Sequence, residues 1–206
     1  MSLSNFECPT YKDFWSPKFL TKLNVKIDDF FSHNGRANCS YGKWKPEVIK
    51  DSGPILLINL SDNEEILSEI KSELGAIYDF SNFYLPSFYC GIHIFLKGSY
   101  IAWHTDENYH LVTTTYLNKE TWDWNWGGAM IYENMQGGIS ALFPEYNKMI
   151  IQPPINHATT IVAHSAPPRI SLQILIDSEE TAQQKGHDLE KGQDFVKNLQ
   201  QRINDG

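Results

Sequence analysis

Apolar residues near both ends of the chain recur at the three-and-four spacing that is typical of amphipathic helices. Over residues 17–33 these positions include Phe19, Leu20, Leu23 and Phe30, and they predict a first helix. The segment 188–203 has a similar pattern and predicts a helix that closes the chain.

A further helix is predicted by the segment SDNEEILSEIKSELGAI. Its start has Ser61 or Asp62 as the N-cap, and it places Glu64 and Glu65 in the first turn, where the helix dipole favours negative charge. Its end is predicted at Gly75, because glycine commonly terminates helices.

The middle of the chain has a different pattern, with short runs of β-branched and aromatic residues separated by Gly, Pro and Asn. Such runs predict strands, and their close spacing favours a sandwich or double-sheet jelly roll over alternating β and α units. The predicted strands are 54–60, 89–96, 99–104, 111–117, 128–133, 147–152, 158–163 and 169–176. The prediction is therefore a mainly β (α+β) fold with flanking helices at both chain ends.

Length and composition fit one domain over residues 1–206. Within it we expect a helical and strand extension over 1–85, a β core over 86–177 and a C-terminal helix over 178–206. The longest apolar runs are too short to span a bilayer, and the first residues lack the pattern of a secretory signal. We therefore expect a cytoplasmic protein that does not contact membranes.

The charge and the cysteines exclude further classes of protein. A net charge of −8 and only three arginines argue against nucleic acid as a partner, since phosphate binding requires clustered Lys and Arg. The three cysteines are widely spaced and contain no C-x-x-C motif. They predict neither a disulfide framework nor a thiolate zinc site.

The segment SYIAWHTDENYH contains a candidate pair of metal ligands. In an extended strand His104 and Asp106 point to the same side, because alternate residues share a face. A third ligand, His157 or His164, would complete two histidines and one carboxylate, a set that leaves positions open on iron(II). His157 is favoured, because His164 is only five residues before Arg169 and is expected at the opposite rim of the sheet.

Arg169 is the second unusual residue, because it lies in the otherwise apolar strand PRISLQILI. A buried guanidinium is costly unless an anion meets it, preferably in bidentate geometry. Ser171 lies on the same face, two residues further on. The carboxylate of a cosubstrate would satisfy both side chains.

Taken in order, these motifs resemble the iron(II)- and 2-oxoglutarate-dependent dioxygenases, and among them the prolyl-4-hydroxylase-like branch. The resemblance covers about 92–177. It is carried by GSYIAWHTDEN, TTTYLNKETWDWNWGGAMIYEN, FPEYNKMIIQPPINHATTIV and PRISLQILI.

The resemblance implies a double-stranded β-helix and assigns a role to each candidate residue. It implies His104, Asp106 and His157 as metal ligands and Arg169 as the partner of the far carboxylate of 2-oxoglutarate. Tyr116 and Ser171 are implied as hydrogen-bond partners of the same cosubstrate, and His164 stays open as an alternative ligand because the interval from His157 to Arg169 is long.

The implied activity is hydroxylation of an unactivated C–H bond, coupled to decarboxylation of 2-oxoglutarate to succinate and CO₂. The implied cofactors and cosubstrates are Fe(II), 2-oxoglutarate and O₂, with ascorbate as a further candidate. The expected substrate is a protein side chain, prolyl-like, or a small metabolite, and the oligomeric state is left open. The alternative is a cupin-like metal-dependent module, either a non-oxidative enzyme or a binding module, because one fold supports many functions.

Other polar and aromatic residues in this region are expected to have structural roles. The alternating tryptophans Trp122, Trp124 and Trp126 are expected to pack over one end of the barrel, with a lid over the substrate mouth as the alternative. Trp103 is expected to point into the core, and His93 is expected to be a satisfied polar residue.

Overall fold

The computed structural model describes residues 8–32, 40–41, 52–53, 55–78, 88–134, 136–152 and 154–177 of the 206-residue chain. The described helices are α1 (Pro17–Phe31) and α2 (Glu64–Leu74). The strands are β1 (Thr10–Tyr11), β2 (Ser40–Tyr41), β3 (Ile55–Asn59), β4 (Phe88–Phe95), β5 (Ile101–His104), β6 (Tyr109–Tyr116), β7 (Met130–Glu133), β8 (Ile139–Leu142), β9 (Met149–Gln152), β10 (His157–Thr159) and β11 (Arg169–Asp177).

These strands form two antiparallel sheets. The major sheet has seven strands in the order β1-β9-β6-β11-β4-β3-β2, and the minor sheet has four in the order β5-β10-β7-β8. Residues from both sheets meet in two small apolar clusters, one around Tyr116 and Met130 and one around Phe95 and Ile101. The sheets therefore pack face to face and enclose an interior between them.

The strand β11 shows how the sequence pattern divides the two faces of the major sheet. Its residues Ile170, Leu172, Ile174 and Ile176 belong to or pack against the main apolar core under the helices. The alternate residues, which begin at Arg169, face the other sheet, because successive side chains of a strand point to opposite faces. The apparently continuous apolar strand thus carries a polar interior face.

Both helices cover the outer face of the major sheet. The helix α1 begins after Ser16, whose hydroxyl accepts from the backbone N–H of Phe19, and it ends at Phe31, two residues before the predicted end. Its buried residues and those of α2 share one core with Ile92 and Ile94 of β4. Burial of these apolar side chains against the sheet stabilises the helices far more than their intrinsic propensity does.

The predicted start of the second helix is wrong by one or two residues. Asn63, rather than Ser61 or Asp62, is the N-cap, and its side-chain oxygen accepts from the backbone N–H of Ile66. Asparagine is as good a cap as serine or aspartate, so the sequence alone does not separate three adjacent candidates. Glu64 and Glu65 lie in the first turn, as predicted.

The strand bounds also differ from the prediction in places. The predicted strand 158–163 is observed as His157–Thr159, because the chain beyond it hydrogen-bonds to the loop around Gly128 instead of to a neighbouring strand. Three short strands, β1, β2 and β8, are additional to the prediction. β1 and β2 have only two residues each, too few for a recognisable alternation.

The predicted helix 188–203 and the segment 178–206 lie outside the described residues, as do Cys39, Arg36 and Arg202. The division of the chain into extension, core and C-terminal helix therefore stays a prediction. In the part of the chain that the structure describes, neither helix has the length and apolar character needed to cross a membrane.

Candidate functional site

Neighbouring strands of the minor sheet bring two of the candidate ligands together. The strand β5 ends at His104, the strand β10 begins at His157, and these two residues are paired directly across the sheet. Asp106 lies just beyond the end of β5, whereas the sequence pattern had placed it in the same extended strand as His104. The turn that follows is closed by a hydrogen bond from the backbone N–H of Tyr109 to the carbonyl oxygen of Asp106.

The three side chains converge on one point. Nε2 of His157 lies 3.3 Å from Oδ2 of Asp106, and Nε2 of His104 lies 3.9 Å from Oδ1 of the same carboxylate. One donor atom from each residue lies within 4.8 Å of the other two. Among the described residues this is the one group of three or more His, Cys, Asp or Glu side chains close enough to hold a metal ion.

Backbone carbonyl groups fix the orientation of both imidazole rings. Nδ1 of His104 lies 2.8 Å from the carbonyl oxygen of Ala102, and Nδ1 of His157 lies 2.9 Å from that of Ile155. A carbonyl oxygen only accepts, so Nδ1 carries the proton in each ring and donates it. Each neutral ring therefore presents the Nε2 lone pair to the shared point, as a metal ligand must.

The electrostatics of the two imidazoles differ. Burial lowers the pKa of His104, and the neighbouring His157 ring lowers it further. Burial also disfavours the charged form of His157, but the hydrogen bond and charge of Asp106 outweigh it and raise the pKa of His157. The carboxylate therefore attracts a cation, either a proton on His157 or a metal ion.

The cluster lies in a cleft between the two sheets. The cleft measures about 460 Å³, including its opening to solvent. Its lining includes His104, Asp106 and His157 from one side and Arg169 from the major sheet. The guanidinium predicted to lie near the metal site therefore faces the same space.

The Arg169 side chain is almost completely buried, with 1% of its surface exposed. Its guanidinium carbon lies 4.4 Å from the ring centre of Phe95 and 4.9 Å from that of Tyr116, so two aromatic faces hold the cation. Among the described residues no carboxylate forms an ion pair with it. Burial lowers the pKa of Arg169, which reflects the cost of keeping this charge in the interior.

Several polar groups around Arg169 have no hydrogen-bond partner in the described part of the chain. They are Nε and Nη1 of Arg169, the hydroxyl of Tyr116 and the hydroxyl of Ser171. Ser171 and Tyr116 are direct neighbours across the sheet, and Ser171 shares a face with Arg169. Buried polar groups are nearly always paired, so a group that accepts hydrogen bonds would complement this cluster.

Asn118 and Gly128 fix the position of Arg169. The Asn118 side-chain oxygen accepts from the backbone N–H of Ile170 at 2.7 Å, and its amide donates to the carbonyl oxygen of Pro168 at 2.9 Å. Gly128 has φ of +66°, and a Cβ at this position would lie 2.9 Å from Cδ of Arg169. The aliphatic part of the arginine therefore packs against bare backbone.

The structure does not support the alternative ligand His164, and it corrects the expectation for Trp103. His164 lies in an exposed turn and does not belong to the cluster of three ligands. Trp103 was expected in the core but is 42% exposed, because the alternation that turns His104 inward turns its neighbour outward.

The three tryptophans of the WDWNW segment divide between interior and surface. Trp122 is buried and donates from Nε1 to the carbonyl oxygen of Gly127, and it packs edge-on against Trp126. Trp124 is 77% exposed and packs against Phe143. Trp122 is thus buried, Trp126 packs partly against the apolar cluster around Phe95, and Trp124 lies on the surface.

His93 lines the cleft, although the sequence pattern did not predict it as a site residue. It is buried in β4, and its Nε2 lies 3.0 Å from the hydroxyl of Tyr89. Burial and the nearby Arg169 charge lower the pKa of His93 to about 3, so the ring is neutral. In the sequence, its alternation with Phe95 indicates an inward position. That pattern does not distinguish a functional histidine from a structural one.

Comparison with known proteins supports the two-sheet β fold described above. No protein-family profile and no curated protein matches the sequence. A prolyl hydroxylase from Trichoplax adhaerens, solved with a peptide fragment of the hypoxia inducible factor oxygen degradation domain, matches with a TM-score of 0.66 at 13% identity, over 84% of each chain. A Pseudomonas putida prolyl-4-hydroxylase matches with a TM-score of 0.55 at 14% identity, over 84% of this chain and 92% of that one.

A third neighbour is a viral collagen prolyl hydroxylase from Paramecium Bursaria Chlorella virus-1, solved as a 2-oxoglutarate complex. Its TM-score is 0.56 at 11% identity, over 85% of this chain and 98% of the other. Identities this low establish the fold rather than the activity. The chain has the double-stranded β-helix fold of its structural neighbours, the prolyl 4-hydroxylases and 2-oxoglutarate–iron(II) oxygenases, which confirms the predicted fold class.

Proposed function

We propose that this protein is an Fe(II)- and 2-oxoglutarate-dependent dioxygenase that hydroxylates an unactivated C–H bond. The observation that carries the proposal is the single cleft that contains a His-Asp-His cluster and a buried arginine. Either feature alone is compatible with several functions, but one cleft with both fits a metal and a dicarboxylate cosubstrate.

The donor set fits iron(II). In the proposal His104, Asp106 and His157 hold the metal through two imidazole nitrogens and one carboxylate, a combination that leaves coordination positions for other ligands. The hydrogen bonds from both Nδ1 atoms to backbone carbonyl groups support this role, since such contacts are typical of metal-binding histidines. No cysteine is in the cluster, which argues against a thiolate-held structural zinc.

The orphaned polar groups fit the cosubstrate. In the proposal Arg169 forms the salt bridge to the far carboxylate of 2-oxoglutarate, and Tyr116 and Ser171 donate hydrogen bonds to the same group. A carboxylate would compensate the buried charge and satisfy all three side chains at once. When bound, Fe(II) and 2-oxoglutarate supply the oxidative chemistry, with O₂ as cosubstrate and succinate and CO₂ as products.

The remaining residues of the cleft shape the space for substrate. Apolar side chains exclude bulk water and strengthen the electrostatic contacts made inside. They are Ile101, Val112, Met130 and Leu175. The contribution of the chain is thus to hold the metal, orient the cosubstrate and keep water away from the reacting C–H bond.

For the substrate we propose a protein side chain, prolyl-like, or a small metabolite. Prolyl hydroxylases among the structural neighbours, one of them solved with a peptide, support the first choice. Ascorbate as reductant and a cytoplasmic location belong to the same proposal.

The proposal is tested by succinate formation from 2-oxoglutarate with Fe(II) and O₂ and a panel of peptides and metabolites. Wild-type protein should release succinate, and His157→Ala should reduce the rate by at least about 100-fold because a ligand is lost. His164→Ala is the matched control and should leave the rate unchanged, since His164 is exposed and outside the cluster. A folded, metal-bound protein that releases no succinate would favour the cupin-like alternative.

A further inference from the structure

Three polar residues of the cleft have no part in the proposed binding of metal or cosubstrate. Gln173 of β11, Thr114 of β6 and Gln152 of β9 all line it. Gln173 and Thr114 are paired across the major sheet, and Gln152 lies opposite Val112, two residues from Thr114. We call these three residues the amide cluster.

The hydroxyl of Thr114 lies between the two side-chain amides. Its oxygen is 2.8 Å from Oε1 of Gln152 and 2.9 Å from Oε1 of Gln173. A hydroxyl has one proton and can donate fully to only one of these atoms. The other glutamine must therefore turn its NH₂ group toward Thr114, and Thr114 accepts from it. Oxygen and nitrogen of an amide are assigned from such networks.

The contact with Met130 indicates which of the two glutamines directs its NH₂ group toward Thr114. Nε2 of Gln152 lies 3.5 Å from Sδ of Met130. A thioether sulfur has no proton and only accepts, so the NH₂ group of Gln152 is favoured on that side. The oxygen of Gln152 then faces Thr114 and accepts its proton. It follows that Gln173 donates to Thr114 through NH₂ and directs its carbonyl oxygen away from that hydroxyl.

We propose that Gln173 is a specificity-determining residue whose carbonyl oxygen accepts a hydrogen bond from an N–H or O–H group of the substrate. Gln173 is half-buried and lines the cleft, so the free end of its amide is the end that a bound molecule meets. The substrate class selected is a molecule with a donor at this point, such as a peptide amide or a hydroxyl-bearing metabolite. A carboxylate in the same place is disfavoured, because two acceptors would face each other.

The part of the inference that concerns the substrate rests on the proposed function. The part that concerns the orientation of the Gln173 amide is independent of it. The test therefore uses two small probes on the ¹⁵N-labelled chain of 206 residues without added metal. N-methylacetamide has one N–H donor, and N,N-dimethylacetamide has none. Binding is followed through the NMR signal of the Gln173 side-chain amide. N-methylacetamide should bind about threefold to tenfold more tightly, the range that one net hydrogen bond provides.

Two variants of Thr114 test the cause of the orientation. Thr114→Val removes the hydroxyl that holds the NH₂ group, so Gln173 can turn and the preference between the probes should fall toward one. Thr114→Ser keeps the hydroxyl and should keep the preference. Gln173→Leu, followed through the backbone signal of Thr114, should lose the preference as well.

Equal binding of the two probes, tighter binding of N,N-dimethylacetamide, or no response of Gln173 to either would overturn the inference. A preference that survives in Thr114→Val would overturn the proposed orientation. Because these outcomes need neither metal nor turnover, they are separate from the succinate assay. A protein that forms succinate but shows no preference contradicts only the role of Gln173. The reverse result contradicts the oxygenase proposal and leaves the orientation of the Gln173 amide supported.

Discussion

At the scale of single residues, Arg169 is a side chain whose burial is costly as long as no ligand is bound. Its charge is buried between two aromatic rings without a carboxylate partner among the described residues. Burying an uncompensated charge is costly, and the contacts with Phe95 and Tyr116 offset only part of that cost. The stability of the ligand-free protein is therefore limited by the same residue that is proposed to bind the cosubstrate.

The first prediction follows from this conflict. Arg169→Met should raise the free energy of unfolding of the ligand-free protein by about 1 kcal/mol or more, because an apolar side chain replaces an unpaired charge. The same variant should lose the stabilisation that 2-oxoglutarate gives the wild type. Urea unfolding with and without 2-oxoglutarate measures both effects. A variant that is less stable without ligand, or that is still stabilised by 2-oxoglutarate, would contradict the role given to Arg169.

Residue spacing placed His104 and Asp106 together and favoured His157 as the third member of the cluster, but it left His164 open. The pairing of His157 with His104 across the sheet is visible only in the structure. Residue spacing was not sufficient for His93 and Gln173. Both occupy inward positions of buried strands, where a glutamine or histidine can equally be structural. Their importance depends on which neighbouring strands face the cleft, and that information is absent from local sequence.

At the scale of elements, the Gly-Gly turn before β7 determines the space available to Arg169. Gly127 and Gly128 both have positive φ, and a Cβ on Gly127 would collide with the carbonyl oxygen of Ile161. The turn is held by hydrogen bonds from Gly128 to Ile161 and from Ala163 to Trp126. These hydrogen bonds hold the Gly-Gly turn against the chain that follows β10, and the turn leaves the space that the Arg169 side chain requires.

A second prediction concerns this turn. Gly128→Ala should weaken 2-oxoglutarate binding by about tenfold or more, because the added Cβ would lie 2.9 Å from Cδ of Arg169 and displace it. Gly137→Ala is the matched control: Gly137 also has positive φ, of +75°, but has no atom within 4 Å of an added Cβ. It should carry the backbone strain alone and bind 2-oxoglutarate as the wild type does. Calorimetric titration measures both, and equal affinities in the two variants would show that the turn does not position Arg169.

At the scale of the whole molecule, Asn147 connects the N-terminal segment to the β core. Its side chain accepts from the backbone N–H of Trp15 and donates to the carbonyl oxygen of Trp15, both at 3.0 Å. Trp15 in turn donates from Nε1 to the hydroxyl of Thr115 in the major sheet. Asn147 has φ of +55°, in the left-handed region that asparagine tolerates better than most residues.

A third prediction is that Asn147→Ala lowers the free energy of unfolding by about 2 to 4 kcal/mol. Two buried backbone groups of Trp15 lose their partners, and alanine is strained at this φ. Asn147→Gly loses the same hydrogen bonds without the strain. Its free energy of unfolding should therefore be about 1 kcal/mol higher than that of Asn147→Ala. Urea unfolding followed by tryptophan fluorescence measures the difference. A loss below about 1 kcal/mol in both variants would mean that the N-terminal segment is held by other contacts.

The overall architecture was predictable because strand-forming runs and turn residues alternate regularly from β4 to β11. The distribution of strands between two sheets was not, since β11 pairs with β4 and β6, which are distant in the sequence. Long-range pairing of this kind is decided by burial of both faces rather than by local pattern. For the same reason the sequence could not show that helices cover one face of β11 while a polar cleft covers the other.

Binding of Fe(II) and 2-oxoglutarate in one cleft is tested best by their joint titration into the protein without oxygen, followed by visible absorption. We expect a weak charge-transfer band that requires both components, saturates at one of each per chain, persists in His164→Ala and disappears in His104→Ala. A correctly folded protein that gives no band with both components, or the same spectrum with Fe(II) alone, would contradict the oxygenase proposal.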